Sequence, residues 1–363
     1  MKVLAALSGG VDSTVAAALL IDAGHEVVGV TMKLWGGESD TGCCSVADVE
    51  DARRAAAQLD VDHHVFNFGE EFERHVVEPY VADHLAGRTP NPCVECNRHL
   101  KFDVLLRRAE LLGFDAVATG HHARVLELVG GGRRIGRGAD PAKDQSYVLY
   151  PLTAAELDRV LLPVGVMTKV VVRRIAAERG LRTATKPDSQ DVCFITRAEG
   201  RESFLSARAE LHGGRIVDGT GRQVGAVDAV ELVTIGQRRG LELSGGSDRR
   251  FVTDVDVESR TVTIGGATDL LEDELVVRDL VWADEPAHGE VQVQCSAHGQ
   301  PASASVTPTA QGDVLVRWTT PQRRVAPGQS VVLYRELATT NGAGSATGPE
   351  AVVVGGGVVA ARD

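Results

Sequence analysis

The amino-terminal segment, residues 2–20, limits most strongly what this chain can fold into. An apolar run, KVLAAL, is followed by Ser-Gly-Gly-Val-Asp-Ser at residues 8–13 and then by the apolar-rich stretch TVAAALLIDAG. The pattern predicts a strand, a tight turn and a helix, with Gly9 and Gly10 in backbone conformations that a Cβ would forbid. Backbone N–H groups, two serine hydroxyls and the positive end of the helix dipole then converge on one point. The segment therefore predicts a phosphate site, although not of the Walker type, because GK[ST] is absent.

This turn has a plainer alternative, a glycine-rich connection in which Asp12 or Ser13 only caps the helix. The combination SGGxDS is too rare at average residue usage to favour that alternative. The turn resembles the pyrophosphate loop of the ATP pyrophosphatases, which bind ATP, adenylate a substrate oxygen and release pyrophosphate. The resemblance implies the nucleotide chemistry and leaves the acceptor open.

The composition is that of a globular protein of two or three domains, with 363 residues, 43% hydrophobic and 24% charged. No apolar run approaches the roughly 20 residues of a membrane span. We therefore expect a soluble, cytoplasmic protein with no membrane partner. The net charge of −12 argues mildly against a nucleic-acid partner. It does not exclude one, because binding depends on where arginine and lysine cluster.

The order of apolar runs predicts an α/β chain in three parts. Strand patterns at residues 26–35, 65–68 and 115–120 alternate with helix patterns at residues 46–59, 70–85 and 169–180. This alternation predicts a Rossmann-like parallel sheet in residues 1–200. Short β-like runs with Gly and Asp turns follow in a small central domain, residues 201–270. Regular strands then predict an antiparallel β-barrel in residues 271–363, with a flexible loop at residues 338–349.

Six cysteines in a chain of this length are too few for a disulfide framework. Cys93 and Cys96 form a CxxC pair that precedes the helix pattern HLKFDVLLRRAELLG, where a helix dipole favours thiolate. Half of a zinc site is the alternative, but no second CxxC or HxxxH completes four ligands. We favour reactive thiols. We expect packing roles for Cys43 and Cys44.

Other candidate residues depend on their position beside predicted strands. Met32 lies at the end of one predicted strand and His121 directly follows another, at the edge where parallel sheets bind ligands, whereas His63 and His64 are expected to be surface residues. A polar hairpin is predicted at residues 133–138 and a loop at residues 185–190. Cys193 lies in an apolar run, residues 191–195, which predicts a strand and, by itself, a core position.

Four further motifs, NPCVECN, TGHHAR, KDQSYVL and DSQDVCFI, with TIGQRRGL and APGQSVVLY behind them, share order and spacing with one family. Together with SGGVDS they resemble the tRNA-specific 2-thiouridylases, which thiolate the wobble uridine. The resemblance runs from residue 2 to about residue 334. It implies a Rossmann-like domain of the adenine nucleotide hydrolase type, a central tRNA-binding domain and a C-terminal β-barrel.

The resemblance also implies roles for individual residues. Cys193 carries a persulfide received from an upstream sulfur-relay protein or cysteine desulfurase. Cys96 attacks that persulfide, either forming a transient Cys96–Cys193 disulfide or freeing the sulfide. ATP, with Mg²⁺, is held by Ala6, Leu7, Ser8, Gly9, Gly10, Val11, Asp12, Ser13, Met32 and Gly120. The target base is bordered by Asn91, Pro92 and Cys93, and the tRNA is faced by His121, Lys143, Asp144, Gln145 and Gln329.

Some positions depart from the family pattern. Some members carry Asp where Cys93 stands. Val227, Ala229 and Val233 replace the usual His, Gly and aromatic residue, and Ser296-Ala297 replaces Arg-Tyr. The phosphate contacts that an RNA needs are then expected from Lys143 and from three arginine pairs, Arg238-Arg239, Arg249-Arg250 and Arg323-Arg324.

Two other functions remain open from the sequence. An ATP-dependent ligase or amidotransferase acting on a small molecule explains SGGVDS but neither the two cysteine motifs nor the barrel. An iron–sulfur or redox-switch protein, with Cys93, Cys96 and Cys193 as cluster ligands, explains the cysteines. Iron analysis after anaerobic purification separates these functions.

Overall fold

The computed structural model describes residues 1–34, 46–188, 192–195, 200–243, 249–340 and 345–361. Loop residues 36–41 and the Cys43–Cys44 pair lie outside them. The strands are β1 (Lys2–Ala6), β2 (Glu26–Lys33), β3 (His63–Asn67), β4 (Ala116–Ala118), β5 (Ala123–Leu128), β6 (Arg133–Arg137), β7 (Val160–Leu161), β8 (Gly214–Asp218), β9 (Gln223–Val227), β10 (Glu242–Leu243), β11 (Phe251–Asp256), β12 (Thr261–Gly265), β13 (Leu271–Trp282), β14 (Gly289–Gln294), β15 (Ala302–Pro308), β16 (Val314–Arg323), β17 (Ser330–Thr340) and β18 (Ala346–Val359).

Two of the longer helical segments contain π-helical stretches. One runs over Glu73–Val77 and joins the third and fourth helices below, and the other runs over Cys96–Val104 and joins the fifth and sixth. The α-helices are α1 (Val11–Asp22), α2 (Val46–Gln58), α3 (Gly69–Phe72), α4 (Glu78–Leu85), α5 (Pro92–Glu95), α6 (Leu105–Leu111), α7 (Ala154–Leu157), α8 (Lys169–Glu178) and α9 (Gly200–Ser206).

The first sheet is parallel, with strand order β3-β2-β1-β4-β7. Side chains alternate between its faces, so Val3 and Ala5 of β1 pack with α1 and α2, whereas Leu4 packs in the core beneath α3 to α6. Helices therefore cover both faces of the sheet. All its carboxyl ends lie at one edge, from which the loop into α1 and the residues after β4 project.

The carboxyl-terminal strands close into a barrel. The order β13-β16-β15-β14-β17-β18 is antiparallel, and β18 also pairs with β13, which removes the open edges of the sheet. Its interior is filled by alternate apolar residues, among them Val277, Val316 and Leu333. In chain order, a second sheet lies between the first sheet and this barrel. Its strand order is β10-β9-β8-β12-β11, with one parallel pair, β8–β12. The predicted α/β class with these three parts is confirmed.

The hairpin β5–β6 was not expected in the barrel. Residues 133–138 were predicted to form a polar hairpin of the first domain, but β6 pairs with β18 and β5 pairs with β17. The interface is mostly buried: the Arg137 guanidinium lies 3.7 Å from the centre of the Tyr334 ring and forms a 2.8 Å ion pair with Asp144. The first domain and the barrel therefore share a continuous core around Tyr334.

One strand prediction and one loop prediction are wrong. Within the predicted strand at residues 191–195, the described residues 192–195 form a turn, in which the Ile195 N–H donates to the Val192 carbonyl. Its apolar character anchors the turn, because the Phe194 ring packs against Phe72, Tyr80 and Phe204. Residues 338–349 are also not simply a loop, since β17 and β18 pair there as far as Thr340 and Ala346, with residues 341–344 outside the described ranges.

The boundaries of other elements shift by a few residues. Strand β3 begins at His63, two residues before its predicted start, and the His63 Nε2 atom lies 2.8 Å from the Thr31 hydroxyl. His63 therefore has a partner in the neighbouring strand, whereas His64 is exposed, as expected. The run VELVTIGQRRGL, interpreted as β-like, contains a 3₁₀ turn at Val230–Leu232. None of the described helices is long and apolar enough to cross a membrane.

Gly356 of β18 tests the packing between barrel and first domain. A Cβ at this position would lie 2.6 Å from both the Tyr150 ring and the Val331 carbonyl oxygen, whereas a Cβ at Gly219 would meet no atom within 4 Å. We expect Gly356→Ala to lower the free energy of unfolding by about 2 kcal/mol, from overpacking. Gly219→Ala is the control and should change it by less than about 0.5 kcal/mol. Urea denaturation measures both, and equal effects would contradict the packing described.

Candidate nucleotide and sulfur-transfer site

The loop between β1 and α1 is closed by its own hydrogen bonds. The Ser8 N–H donates to the Ser13 hydroxyl over 3.2 Å, and that hydroxyl donates to the Gly10 carbonyl over 3.2 Å. Gly9 has φ +71°, as expected for a residue without Cβ, and Gly10 is the residue that precedes α1. The loop therefore presents the first N–H groups of α1 at the carboxyl edge of the sheet.

Two glycines allow close backbone packing around this loop. A Cβ on Gly9 would lie 2.6 Å from the Asp48 carbonyl oxygen, and one on Gly120 would lie 2.5 Å from the Ser13 nitrogen. The expectation for Gly10 is wrong, since its φ of −93° and ψ of 164° are open to any residue. Among the described residues, a Cβ on Gly10 would meet only the Ser8 hydroxyl, at 3.3 Å.

A cluster of charges, which we call the charge cluster, joins the loop to distant segments. Its members are Asp12, Lys169, Asp188, Lys143 and Arg173. The Lys169 ammonium group lies between two carboxylates, 2.6 Å from an oxygen of Asp12 and 2.9 Å from one of Asp188. Asp188 also pairs with Lys143 at 2.8 Å and with Arg173 at 2.6 Å. The cluster thus connects the loop, α8 and two of the motif segments.

The two carboxyl groups of the charge cluster are ionised. Burial alone would raise the pKa of the Asp12 carboxyl, but hydrogen bonds from His122 and Lys169 outweigh burial and lower that pKa. Burial likewise opposes ionisation of Asp188, and hydrogen bonds from Lys143 and Lys169 lower its pKa far below the ordinary value. Three cations, Lys169, Lys143 and Arg173, thus hold two ionised carboxylates beside the loop, and the Asp140 carboxylate, which accepts from the Lys169 N–H over 2.9 Å, adds a further negative charge.

Sequence reasoning gave no role to Lys169, His122 or Asp188. Lys169 is the first residue of the predicted amphipathic helix, yet its side chain is only 11% exposed. His122 stands in the TGHHAR motif and places Nε2 3.1 Å from an Asp12 oxygen, while its buried Nδ1 has no protein partner. The signal in the sequence is a lysine at the first position of a predicted helix, where the helix dipole disfavours a cation. Its burial is visible only in the structure.

The CxxC pair lies inside a helix. Asn91 precedes α5 and its side-chain oxygen accepts from the Cys93 N–H over 3.2 Å, so the helix begins at Pro92, earlier than predicted. Cys93 is exposed in the first turn, whereas Cys96 is buried one turn further on. The field of the helix end fades within the first turn and therefore acts on Cys93 more than on Cys96.

Cys96 and Cys193 border the same apolar core. Cys96 belongs to that core, and both Cys193 and Met32 pack against it from partly buried positions. The α5 segment, the turn at residues 192–195 and the end of β2 therefore all contribute to the same core. No three His, Cys, Asp or Glu side chains in the described ranges are grouped as a metal ion requires.

The residues expected to face tRNA have partners inside the protein. The His121 ring nitrogen Nδ1 lies 2.7 Å from the Thr119 hydroxyl, and burial lowers the pKa of His121 well below its ordinary value. Three more of these residues make hydrogen bonds within the fold: Asp144 accepts from the Gly138 and Ser146 N–H groups, Gln145 from the His122 N–H, and Gln329 donates to the Thr89 carbonyl. Lys143 belongs to the charge cluster.

An arginine surface lies where the second sheet meets the barrel. The Gln237 carbonyl accepts from the Val252 N–H, which brings Arg238 and Arg239 beside the start of β11, after Arg249 and Arg250. These four arginines are exposed. Arg323 is also exposed, 5.5 Å from the centre of the Phe251 ring, whereas Arg324 pairs with Asp254. Positive charge is therefore concentrated in one place on an acidic protein.

The fold and the loop together define a nucleotide-binding α/β domain, and comparisons with known proteins specify it. Residues 1–197 match the family model described as tRNA methyl transferase HUP domain. Residues 202–266 match the tRNA methyl transferase PRC-barrel domain, and residues 272–347 match the Aminomethyltransferase beta-barrel domain.

Full-length relatives give the particular family. The chain is 44% identical over 342 residues to tRNA-specific 2-thiouridylase MnmA of Chloroflexus aurantiacus, which covers 92% of this chain and 95% of the relative. Proteins of the same name match from Carboxydothermus hydrogenoformans, 45% identical over 345 residues with coverage of 92% and 94%, and from Mycobacteroides abscessus, 45% over 346 residues with coverage of 92% and 95%. The chain belongs to the family of tRNA-specific 2-thiouridylases, so the resemblance of its motifs is confirmed.

The charge cluster makes a prediction for stability. Lys169→Met leaves the Asp12 and Asp188 carboxylates facing each other without their shared cation. Discounted for partial exposure, we expect a loss of about 2 kcal/mol in the free energy of unfolding. Arg174→Met is the matched control on the same helix, because Arg174 is exposed and lies 3.8 Å from Glu178. Its effect should stay below about 0.5 kcal/mol. Urea denaturation at neutral pH compares them, and a loss confined to Arg174→Met would refute the role of Lys169.

Proposed function

We propose that this protein is an ATP-dependent enzyme that converts the C2 oxygen of the tRNA wobble uridine to sulfur. The observation that carries the proposal is the pairing of an open glycine loop at α1 with two cysteines, Cys96 and Cys193, bordering one apolar core. Methyl transfer, named in two of the family-model descriptions, needs neither a pyrophosphate loop nor two thiols. We further propose a cytoplasmic enzyme with catalytic residues 1–200, tRNA-binding residues 201–270 and a barrel at residues 271–363.

The first step activates the base. ATP lies against residues 6–13, Met32 and Gly120; the uracil C2 oxygen attacks the α-phosphorus and pyrophosphate leaves. The N–H groups at the start of α1 and the ammonium groups of Lys169 and Lys143 stabilise the departing phosphates. Mg²⁺ bound with ATP supplies further neutralisation, and the ionised carboxylate of Asp12 is a suitable oxygen ligand for it. An iron–sulfur cluster enters no step.

The second step delivers sulfur. A sulfur-relay protein or cysteine desulfurase transfers sulfane sulfur to Cys193, and the terminal sulfur attacks C2, from which AMP departs with the original oxygen. The Cys96 thiolate then attacks the Cys193 sulfur, which releases the thiolated base and leaves a Cys96–Cys193 disulfide. A dithiol reductant resets the enzyme. Asn91, Pro92 and Cys93 border the target base in this scheme.

The tRNA itself needs a basic surface. We propose that its phosphates contact the arginine surface, where Arg238, Arg239, Arg249, Arg250 and Arg323 concentrate positive charge. His121, Asp144 and Gln145 support this step indirectly, because their hydrogen bonds hold the loops at the carboxyl edge of the sheet. Lys143 holds Asp188 in the same way.

Alanine substitutions at Gly10 and Gly9 distinguish an effect on nucleotide binding from an effect on folding. Because a Cβ on Gly10 would meet only the Ser8 hydroxyl among the described residues, Gly10→Ala should lower the melting temperature much less than Gly9→Ala. Its methyl group would, however, stand against the phosphates, so we expect pyrophosphate release to fall at least about tenfold. Gly9→Ala should lower both, since Gly9 has φ +71° and packs against Asp48. Differential scanning fluorimetry and a pyrophosphate assay measure the pair. Full activity in Gly10→Ala would place the nucleotide elsewhere.

Substitutions of the two cysteines should block different steps of sulfur transfer. Cys193→Ser should lose both the persulfide and thiolation, and Cys96→Ser should keep the persulfide on Cys193 without forming thiolated tRNA. A serine hydroxyl is not ionised near neutral pH and cannot carry sulfane sulfur. Both variants should still adenylate tRNA. Mass spectrometry of the enzyme after incubation with a sulfur donor, with single-turnover thiolation, measures the steps.

Cys295 supplies the control for this pair. It is partly buried against the barrel core, where desolvation raises the pKa of its thiol to about 12, so Cys295→Ala should keep both steps. Loss of the persulfide in both Cys193→Ser and Cys96→Ser would contradict separate roles. Full thiolation by Cys193→Ser would rule out the persulfide mechanism.

A further inference from the structure

The segment of residues 87–91 lies between α4 and α5, immediately before the two cysteines of the CxxC pair. It makes a reciprocal contact with the barrel through its central residue. The Thr89 N–H donates to the Pro327 carbonyl over 2.7 Å, and the Gln329 side-chain amide donates to the Thr89 carbonyl over 2.7 Å. Both backbone groups of Thr89 are therefore held by one barrel turn, residues 326–329.

That turn is itself fixed to the barrel. The Gly328 N–H donates to the Val359 carbonyl and the Val359 N–H donates to the Gln329 carbonyl, so the turn is hydrogen-bonded to the last residue of β18. Gly328 has φ +84°, and a Cβ on it would lie 3.0 Å from the Arg88 Cβ. The turn thus packs closely on the 87–91 segment and has little freedom to move away from it.

The other side of the segment meets the central domain. The Thr89 and Thr234 hydroxyls lie 3.4 Å apart, and a Cβ on Gly87 would lie 2.8 Å from the Val257 side chain. Thr234 stands four residues before Arg238, the first residue of the arginine surface. The barrel and the central domain therefore both contact this segment, through residues 87–89.

The helix that carries Cys93 and Cys96, α5 with its π-helical continuation, begins directly after this segment. Two residues after Thr89, the Asn91 side chain caps the Cys93 N–H and Pro92 is the first helical residue. The connection from Thr89 to this helix is short and restricted by Pro90 and Pro92, and Cys96 lies one helical turn beyond its start. A displacement of about 1 Å at a reacting group is enough to slow chemistry about a hundredfold.

We propose that Gln329 is a positioning residue that locks the Cys96 helix to the barrel. Cys96 is thereby held at a fixed position relative to tRNA bound on the arginine surface. The proposal rests on the function proposed above and differs from a direct contact between Gln329 and tRNA. The two assignments make opposite predictions for charge. A tRNA contact should be strengthened by a cation at residue 329 and weakened by an anion, whereas the lock needs only a donor facing the Thr89 carbonyl.

Three substitutions test the lock. Gln329→Leu removes the donor, Gln329→Glu places a carboxylate against the Thr89 carbonyl, and Gln329→Lys keeps a donor while adding charge. Gln322→Leu is the control, because the Gln322 side chain bonds only the neighbouring Thr320 among the partners described for it. For each variant we measure the Kd for tRNA at fixed salt, the single-turnover thiolation rate, and the rate of Cys96 alkylation by iodoacetamide without tRNA.

We expect Gln329→Leu and Gln329→Glu to slow single-turnover thiolation about tenfold and to change Cys96 alkylation at least threefold, to order of magnitude, with an unchanged Kd. Gln329→Lys should restore both rates towards those of the wild type. A Kd that rises with Gln329→Glu and falls with Gln329→Lys, at constant Cys96 alkylation, would overturn the proposal, as would variants indistinguishable from Gln322→Leu. Failure of the wild type to thiolate uridine would refute the proposed function instead, and Cys96 alkylation would still test the lock.

Discussion

The ion pairs of Lys169 with Asp12 and Asp188 are the contact on which the arrangement of this site depends. Three segments far apart in the chain, the loop before α1, the start of α8 and the residue at the end of the 182–188 segment, meet at one ammonium group. Two carboxylates this close repel each other unless cations separate them, and Lys143 and Arg173 complete the balance. The same ion pairs keep the Asp12 and Asp188 carboxylates ionised beside the loop.

Other parts of the molecule connect to this loop at the carboxyl edge of the first sheet. Gly120 lets the segment after β4 approach the start of α1, and His122 from that segment contacts Asp12. The hairpin β5–β6 then carries the chain into the barrel, where Arg137 joins Asp144 to Tyr334. The barrel returns to the first domain through the turn at residues 326–329, which holds Thr89. Nucleotide loop, cysteine helix and barrel are thus parts of one packed structure.

Short sequence patterns predicted those elements that depend on neighbouring residues in the chain. The glycine loop and α1 follow from the order of apolar residues and glycines in residues 2–20, and the family follows from motifs that are short and contiguous. Contacts between distant segments have no such pattern. Nothing near Lys169 in the sequence indicates Asp12 as its partner, and nothing near Arg133–Arg137 indicates that this hairpin extends a barrel formed over a hundred residues later. Cys193 was assigned to a strand because its neighbours are apolar, but those neighbours anchor a turn in an aromatic cluster. The carboxyl-terminal strand β18 was missed because its glycines, which admit Tyr150 and Trp282, are typical of loops.

The fate of the uracil oxygen tests the central claim most directly. In the proposed reaction, ATP activates the C2 oxygen of the wobble uridine and sulfur then displaces this oxygen as part of AMP. A tRNA labelled with oxygen-18 at that position, incubated with the enzyme, unlabelled ATP and a sulfur donor, should yield AMP that contains the label, as measured by mass spectrometry. Thiolated tRNA formed together with unlabelled AMP would contradict the account, because ATP would then have been cleaved without activating the base.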